Sequence, residues 1–475
     1  MSANYGSLLL ESLLALKPVL VLVGTLLLAI VLDLVVKKKS IQAPIFVIGV
    51  LISCFSLFTS NNVGVSVFSG MITYTSLNSI GQVLILGAAL LFGLIHLFRC
   101  KNKSNAEFFV LVYGVLIGSM VLVLCQNYLL FYLSLETISL SSYALTYFGG
   151  KESREAAIKY LVFGAVSSAT MLFGISLLYG LSGSLDIYTS LNMIGSENPI
   201  VVVIPVIFFL VGVFFKIGAF PFHFWLPEVY KTLSFDVIGL FSTVPKIAMF
   251  TFLFTWFDEF KWFQVSGYSL AEFIAAIAIV TLAIGNFTAL KQKSIKGILA
   301  YSGIANTSYI LIPIIVGGQI GEEAFLVYFI GYVIVLFGLL FVLDHFNLDE
   351  LEDFKGLGKS QALAGGVLVL LFLSLIGLPP SIGFGAKLLV FISLWKSSIM
   401  ESSTVLKSLF FFGIFNTVVG LFYYFRLPFM MFIKEVEPKQ MSITLVSKIV
   451  MVLFAVSSVY LFFKLDWVLM LLKSL

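Results

Sequence analysis

From Gly365 the chain reads GGVLVLLFLSLIGL, an unbroken apolar run without the apolar/polar alternation of a membrane β-barrel strand. Similar runs recur from one end of the sequence to the other. Of its 475 residues, 60% are apolar, and only 28 Lys+Arg and 24 Asp+Glu carry charge. That is 11% charged, where a soluble protein carries roughly a quarter. Too little polar surface is left for the several soluble domains a chain of this length would form. At roughly 20 apolar residues per span, the apolar content suffices for about fourteen transmembrane helices. A soluble enzyme is excluded; the fold class is an all-α polytopic membrane protein.

The sparse cysteines and histidines exclude further chemistry. Cys54, Cys100 and Cys125 form no C-x-x-C pair and cannot supply the four thiolates of an iron–sulfur or structural zinc site. His96, His223 and His345 are scattered, with no i, i+4 pair. The segment Gly356-Leu-Gly-Lys-Ser360 resembles a phosphate loop but has Asp353 where the first glycine belongs. No metal, haem or nucleotide site is expected in this chain, and nothing in it suggests nucleic acid.

Apolar runs broken by short polar loops give fourteen spans. They centre near residues 24, 50, 88, 116, 138, 170, 210, 246, 280, 305, 335, 380, 415 and 454. The first run is long and is followed by Lys37-Lys38-Lys39, so it reads as a retained helix and not a signal peptide. If the spans alternate, the loops after odd-numbered spans hold 19 basic residues and the opposite side six. The remaining three are Lys216, Lys246 and Lys387, inside spans. The positive-inside rule then puts the basic loops in the cytoplasm and both termini outside. Residues 59–79 and 182–199, free of Lys and Arg, are expected to pack as short caps on the outer face.

Four ionisable residues lie deep in these runs: Glu136, Lys216, Lys246 and Lys387. Such a charge costs a few kcal/mol near the bilayer centre even on the mildest scale. One acid and three lysines together point to transport. Prolines accompany the lysines. Pro221 follows Lys216, Pro245 precedes Lys246, and Pro379-Pro380 precede Lys387. Each is expected to break its helix, because proline lacks the N–H that the carbonyl four residues earlier requires. Discontinuous helices with ionisable residues near midplane are a pattern of ion and proton transport. Breaks in spans 7 and 12 suggest two inverted five-helix repeats, over spans 4–8 and 9–13. The expected divisions of the single membrane domain are 1–104, 105–260, 261–435 and 436–475.

Lysine suits a proton relay because burial favours its neutral form and a nearby carboxylate favours the charged one. Moving Glu136 relative to Lys216 would switch whether that lysine holds its proton. His223 would sit two turns along the face of Lys216 if the helix continued through Pro221, as a shuttle or as a histidine bonded to a carbonyl. Lys159 and Lys296 read as anchors at helix ends, with Lys296 also a candidate relay residue.

These residues carry a family resemblance. The chain resembles the antiporter-like membrane subunits of respiratory complex I (proton-translocating NADH:quinone oxidoreductase), most closely subunit N. The matching segments are LLFYLSLETISLSSYALTYF around Glu136 and the block from Glu155 to Asp186. FFKIGAFPFHFWLPEVY around Lys216, KGILAYSGIANTSY from Lys296, and LSLIGLPPSIGFGAK ending at Lys387 complete the set. The resemblance implies a fourteen-helix antiporter-like fold without a redox centre of its own. NADH, FMN, iron–sulfur clusters and quinone would be handled by other subunits, with antiporter-like subunit M and small subunit K as membrane neighbours. It implies that Glu136 and Lys216 form a coupled pair, Lys246 a central relay and Lys387 a terminal site. Two departures stand out. Asn306 replaces the family's histidine and Gly297 its arginine, so a relay step there would run through water or through Tyr301 and Ser302. The loop after Tyr230 also lacks the expected glycine and proline.

A complete first three-helix block fits a bacterial inner-membrane chain, since the resemblance implies that animal mitochondrial versions lack it. Two other readings stand beside this one: a subunit of a multi-subunit cation/proton antiporter, and a stand-alone transporter of an organic solute. Lys387, where the antiporters' subunits have an acid, and the Glu155–Asp186 block favour subunit N.

Overall fold

The computed structural model describes residues 11–36, 39–60, 62–99, 105–148, 151–195, 198–261, 263–265, 267–433 and 443–474. Lys37, Lys38, Cys100, Lys101, Lys103, Lys434 and Lys439 lie outside them. Among the described residues, twelve helices are long and apolar enough to cross a membrane. Two further apolar helices, Ala106–Leu122 and Ala362–Ile376, are shorter. The helix Tyr128–Tyr147 is long but more polar, because it carries Glu136 and a series of hydroxyls. The span centres expected from sequence all fall within helices except the one near residue 380, which falls on a break.

The chain divides into two compact units. The first holds the described residues up to Ile217 together with Leu240–Val265. Here the helix Lys151–Ser182 runs along Pro199–Ile217. Their backbones touch at Gly174, where a Cβ would lie 2.6 Å from the Phe209 nitrogen. Close backbone approach at small residues substitutes for the hydrophobic drive that helices lack within lipid. Both lysine- and arginine-free segments form local structure. Ser66–Val67 and Ile72–Thr73 form a two-stranded hairpin, and Ile187–Ile194 a short helix capped by Asp186. Each seats on the polar pair before the Glu136 helix. The Gln126 N–H donates to Met71 O, and the Ile187 N–H donates to Gln126 O. Asn127 then caps the helix, its Oδ1 accepting from the Leu129 nitrogen at 2.9 Å.

The second unit holds Gly218–Gly239 and the described residues from Gly267 to Ser474. The helices Leu270–Ala289 and Ile295–Val316 pack in the same close manner. A Cβ on Gly285 would lie 2.6 Å from the Ala305 nitrogen. The helix Gly318–Phe346 packs against both Ala362–Ile376 and Ile382–Met400.

Two proline sites break helices and one does not. The helix Pro199–Ile217 stops one residue after Lys216, and Pro221 lies in the turn that leads to the short helix Trp225–Thr232. Ala362–Ile376 stops before Pro379-Pro380 and Ile382–Met400 begins after them. Pro245 corrects the sequence expectation: it lies inside the continuous helix Phe235–Phe260. The apolar window of that helix is entirely buried. Packing on all sides holds the backbone helical despite the missing N–H, an override open to prolines in membrane helices.

Candidate functional site

All three intramembrane lysines are buried, with between 3% and 8% of their surface exposed. Each is positioned differently. Lys216 occupies the last turn of Pro199–Ile217, where carbonyls lack helical partners and the helix dipole favours a cation. Its Nζ lies 3.1 Å from Ser139 Oγ on the Glu136 helix. Ser139 donates its own proton to Leu135 O at 2.7 Å, so a lone pair faces the lysine. Ser134, Ser142 and Thr146 make the same backward bond, to the carbonyls of Leu130, Ile138 and Ser142. Backward bonding of this kind satisfies a buried hydroxyl inside its own helix.

Glu136 sits one turn before Ser139 on the same face. It lies within electrostatic reach of Lys216 but makes no direct ion pair with it. Its Oε1 is buried without a hydrogen-bond partner among the described residues. A gap therefore separates the two side chains. A second buried bond, Trp256 Nε1 to Tyr128 Oη at 3.1 Å, ties this helix to Phe235–Phe260, which carries Lys246.

His223 does not continue the Lys216 helix face. The chain turns away at Gly218, which has φ +73°. His223 lies buried in the turn against the rings of Phe220 and Phe224, its Nδ1 without a hydrogen-bond partner among the described residues.

Lys387 is held by the broken helix. Its Nζ donates to Leu375 O at 2.9 Å and Ile376 O at 2.8 Å. These are terminal carbonyls of Ala362–Ile376, freed by the break that Gly377 begins at φ +88°. Ser381 caps the following helix and donates to Leu378 O at 2.6 Å, which closes the break. The Lys387 ammonium also lies 4.8 Å from the centre of the Tyr309 ring, a cation–π distance.

Asn306 and Lys387 share the lining of a cavity of about 20 Å³ with Tyr328 and Ser374. A cavity of that volume holds about one water. Tyr328 donates to Asn306 Oδ1 at 2.8 Å. Ser302 points elsewhere, to Leu299 O at 3.0 Å, and Tyr301 is half-buried. Lys296 Nζ pairs with Asp349 at 3.2 Å and lies over the Phe235 ring.

Sequence reading missed Ser139, Tyr309 and Tyr328. Ser139 follows Glu136 by three residues, a helical-face spacing that would have found it. Tyr309 stands in the same relation to Asn306. Tyr328 is 22 residues from Asn306 on another helix, and no local pattern marks it. A further buried network of amides and hydroxyls was equally silent. Asn286 donates to the Asn416 carbonyls and accepts from Tyr423 at 3.0 Å, while Tyr309 meets Thr417 at 3.2 Å.

Known proteins share this arrangement of helices. A family model described as NADH:quinone oxidoreductase/Mrp antiporter, TM, matches residues 125–413. NADH-quinone oxidoreductase subunit N of Chlorobium chlorochromatii is 31% identical over 352 residues, covering 71% of this chain and 68% of that protein. A chain of respiratory complex I from Thermus thermophilus superposes with a TM-score of 0.79 at 25% identity, covering 94% of this chain and 96% of that one. A chain of the Mrp complex from Dietzia sp. DQ12-45-1b shares the fold, at TM-score 0.79 and 18% identity over 97% and 96% of the two chains. The matched region contains Glu136 and all three buried lysines, and the chain belongs to the family of NADH:quinone oxidoreductase and Mrp antiporter transmembrane subunits.

Proposed function

We propose that this chain moves protons across the membrane as subunit N of NADH:quinone oxidoreductase, driven by quinone reduction elsewhere in the complex. The carrying observation is Lys387, buried in a broken helix, bonded to two freed carbonyls and bordering a water-sized cavity. A structural lysine needs a counter-charge or an exit to solvent; a proton carrier needs acceptors for its charged form and a wet side. Glu136 and Lys216 act as the charge pair that feeds the path, and Lys246 as its centre. His223, Lys296, Tyr301, Ser302 and Asn306 are the secondary candidates for the route.

The chain crosses the membrane fourteen times, as two inverted five-helix repeats behind a three-helix block, with both termini outside a bacterial inner membrane. NADH, FMN, iron–sulfur clusters and quinone belong to partner subunits, and subunits M and K are its membrane neighbours. The Mrp-like fold keeps one alternative in view, a cation/proton antiporter subunit. Purification in mild detergent separates the two. Co-isolation with flavin and iron–sulfur proteins, and proton uptake by vesicles on NADH addition, support the first reading. Cation/proton exchange without NADH oxidation would replace it with the second.

A further inference from the structure

Asn306 cannot titrate near neutrality, yet it is buried at the cavity that Lys387 borders. Its side-chain oxygen is occupied by one neighbour, the Tyr328 hydroxyl at 2.8 Å. A tyrosine hydroxyl has a single proton to donate. With that proton committed to Asn306, the remaining lone pairs of Tyr328 are acceptors, and Tyr328 lines the same cavity. Lys387 has three donors as an ammonium. Leu375 O and Ile376 O take two of them.

We propose that Tyr328, aimed by Asn306, is a positioning residue that orients a water in this cavity to receive the proton of Lys387. The inference rests on the proton-translocation reading above and names a residue that acts through that water. Held by donation to Tyr328 Oη, the water turns a lone pair toward the third N–H of Lys387. In the transfer this N–H bond breaks with its electron pair left on nitrogen, and the proton bonds to the water oxygen. The excess proton then leaves through the water's other O–H to solvent, and the lysine remains a neutral amine on its two carbonyls. Asn306 takes no proton. Its contribution is directional, since an acceptor-only oxygen stops the tyrosine from turning its own O–H into the cavity. Among the described residues the cavity's lining contains no carboxylate, so a correctly oriented neutral acceptor has no charged competitor there.

The test uses the whole complex in proton-tight vesicles, with Tyr328→Phe, Asn306→Leu, the double variant and Lys387→Met. The proton-to-electron ratio should fall in Tyr328→Phe and to the same extent in Asn306→Leu. The double variant should fall no further, because both changes remove one function. Quinone reductase activity with an uncoupler, and the yield of intact complex, should stay near wild type. The solvent deuterium isotope effect on pumping should rise in Tyr328→Phe, since proton hand-off becomes the slower step. A wild-type ratio in Tyr328→Phe beside a defective Lys387→Met overturns the role of Tyr328 alone. Additive losses in the double variant, or an unchanged isotope effect, also overturn it. A wild-type ratio in Lys387→Met instead overturns the proton-translocation reading on which it rests.

Discussion

Lys216 bonds to Ser139 at 3.1 Å, one turn along the helix from the carboxylate of Glu136, so the acid acts on the lysine through space and the serine by contact. In a low-dielectric interior a charge acts over a longer range than a hydrogen bond does. Substituting the charge should therefore matter more than substituting the contact. Glu136→Gln is expected to cut proton pumping severalfold with the complex assembled, and Ser139→Ala to leave most of it. Initial rates of vesicle acidification, normalised to quinone reduction, decide the order. Should Ser139→Ala prove the more damaging, contact and not charge governs Lys216.

Lys387 distinguishes a fixed charge from a carried proton. Arginine keeps the charge but holds its proton at every physiological pH. Lys387→Arg should assemble and pump poorly. Lys387→Met should lose pumping as well, and it leaves the Leu375 and Ile376 carbonyls unpaired, at roughly 1–3 kcal/mol for each buried group. Full pumping by the arginine variant would make Lys387 a structural cation and move the end of the path elsewhere.

Gly377 is expected to tolerate no side chain. Its φ of +88° is left-handed, and a Cβ there would lie 2.7 Å from Lys387 Cδ. Left-handed backbone costs a residue with a Cβ roughly 1–2 kcal/mol, and the collision pushes Lys387 off its carbonyls. Gly377→Ala should lower both the thermal stability of the complex and its proton-to-electron ratio. Gly366→Ala, in the same unit, where a Cβ meets nothing within 4 Å, is the control and should change neither. Equal behaviour of the two variants would argue against the mechanism.

The topology can be read with thiol reagents in a chain whose Cys54, Cys100 and Cys125 are replaced by serine. Lys293→Cys should react only from the cytoplasm. Thr189→Cys and Lys261→Cys should react only from the opposite side. Thr189 is exposed in the short helix Ile187–Ile194, whereas its neighbour Ser190 is fully buried and would stay silent from either face. Labelling of residues 189 and 293 from one side would break the proposed arrangement.

Legibility in the sequence followed the range of the force involved. Continuous apolar runs dictate helices locally, since in lipid every backbone group must find its partner within the segment. Charges inside those runs stand out for the same reason. The break at Pro379-Pro380 was legible from the prolines, and it holds because Gly377 and Ser381 flank it, one supplying a left-handed turn and the other a helix cap. Pro245 has no such neighbours and sits in a helix whose apolar window is entirely buried, so its local rule was overruled. Tyr328, Asn286 and Asn416 were invisible for a different reason. Their partners lie 22 to 137 residues away, and their types occur on any helix, so only the folded chain shows that they meet. The gap between Glu136 and Lys216 belongs to the same class, since residue types specify a charge pair without specifying its distance.

The hold of Leu375 and Ile376 on Lys387 joins two rods by a strut that is chemically removable. The carbonyls belong to the helix before the break, the amine to the one after it. Taking the proton from the amine removes the charge from both hydrogen bonds and slackens the strut. By reciprocity, any load that pulls the rods apart works against the bound proton by the same amount of free energy. Tension and proton occupancy are thus conjugate quantities at this joint, and a push arriving along either rod is already denominated in protons.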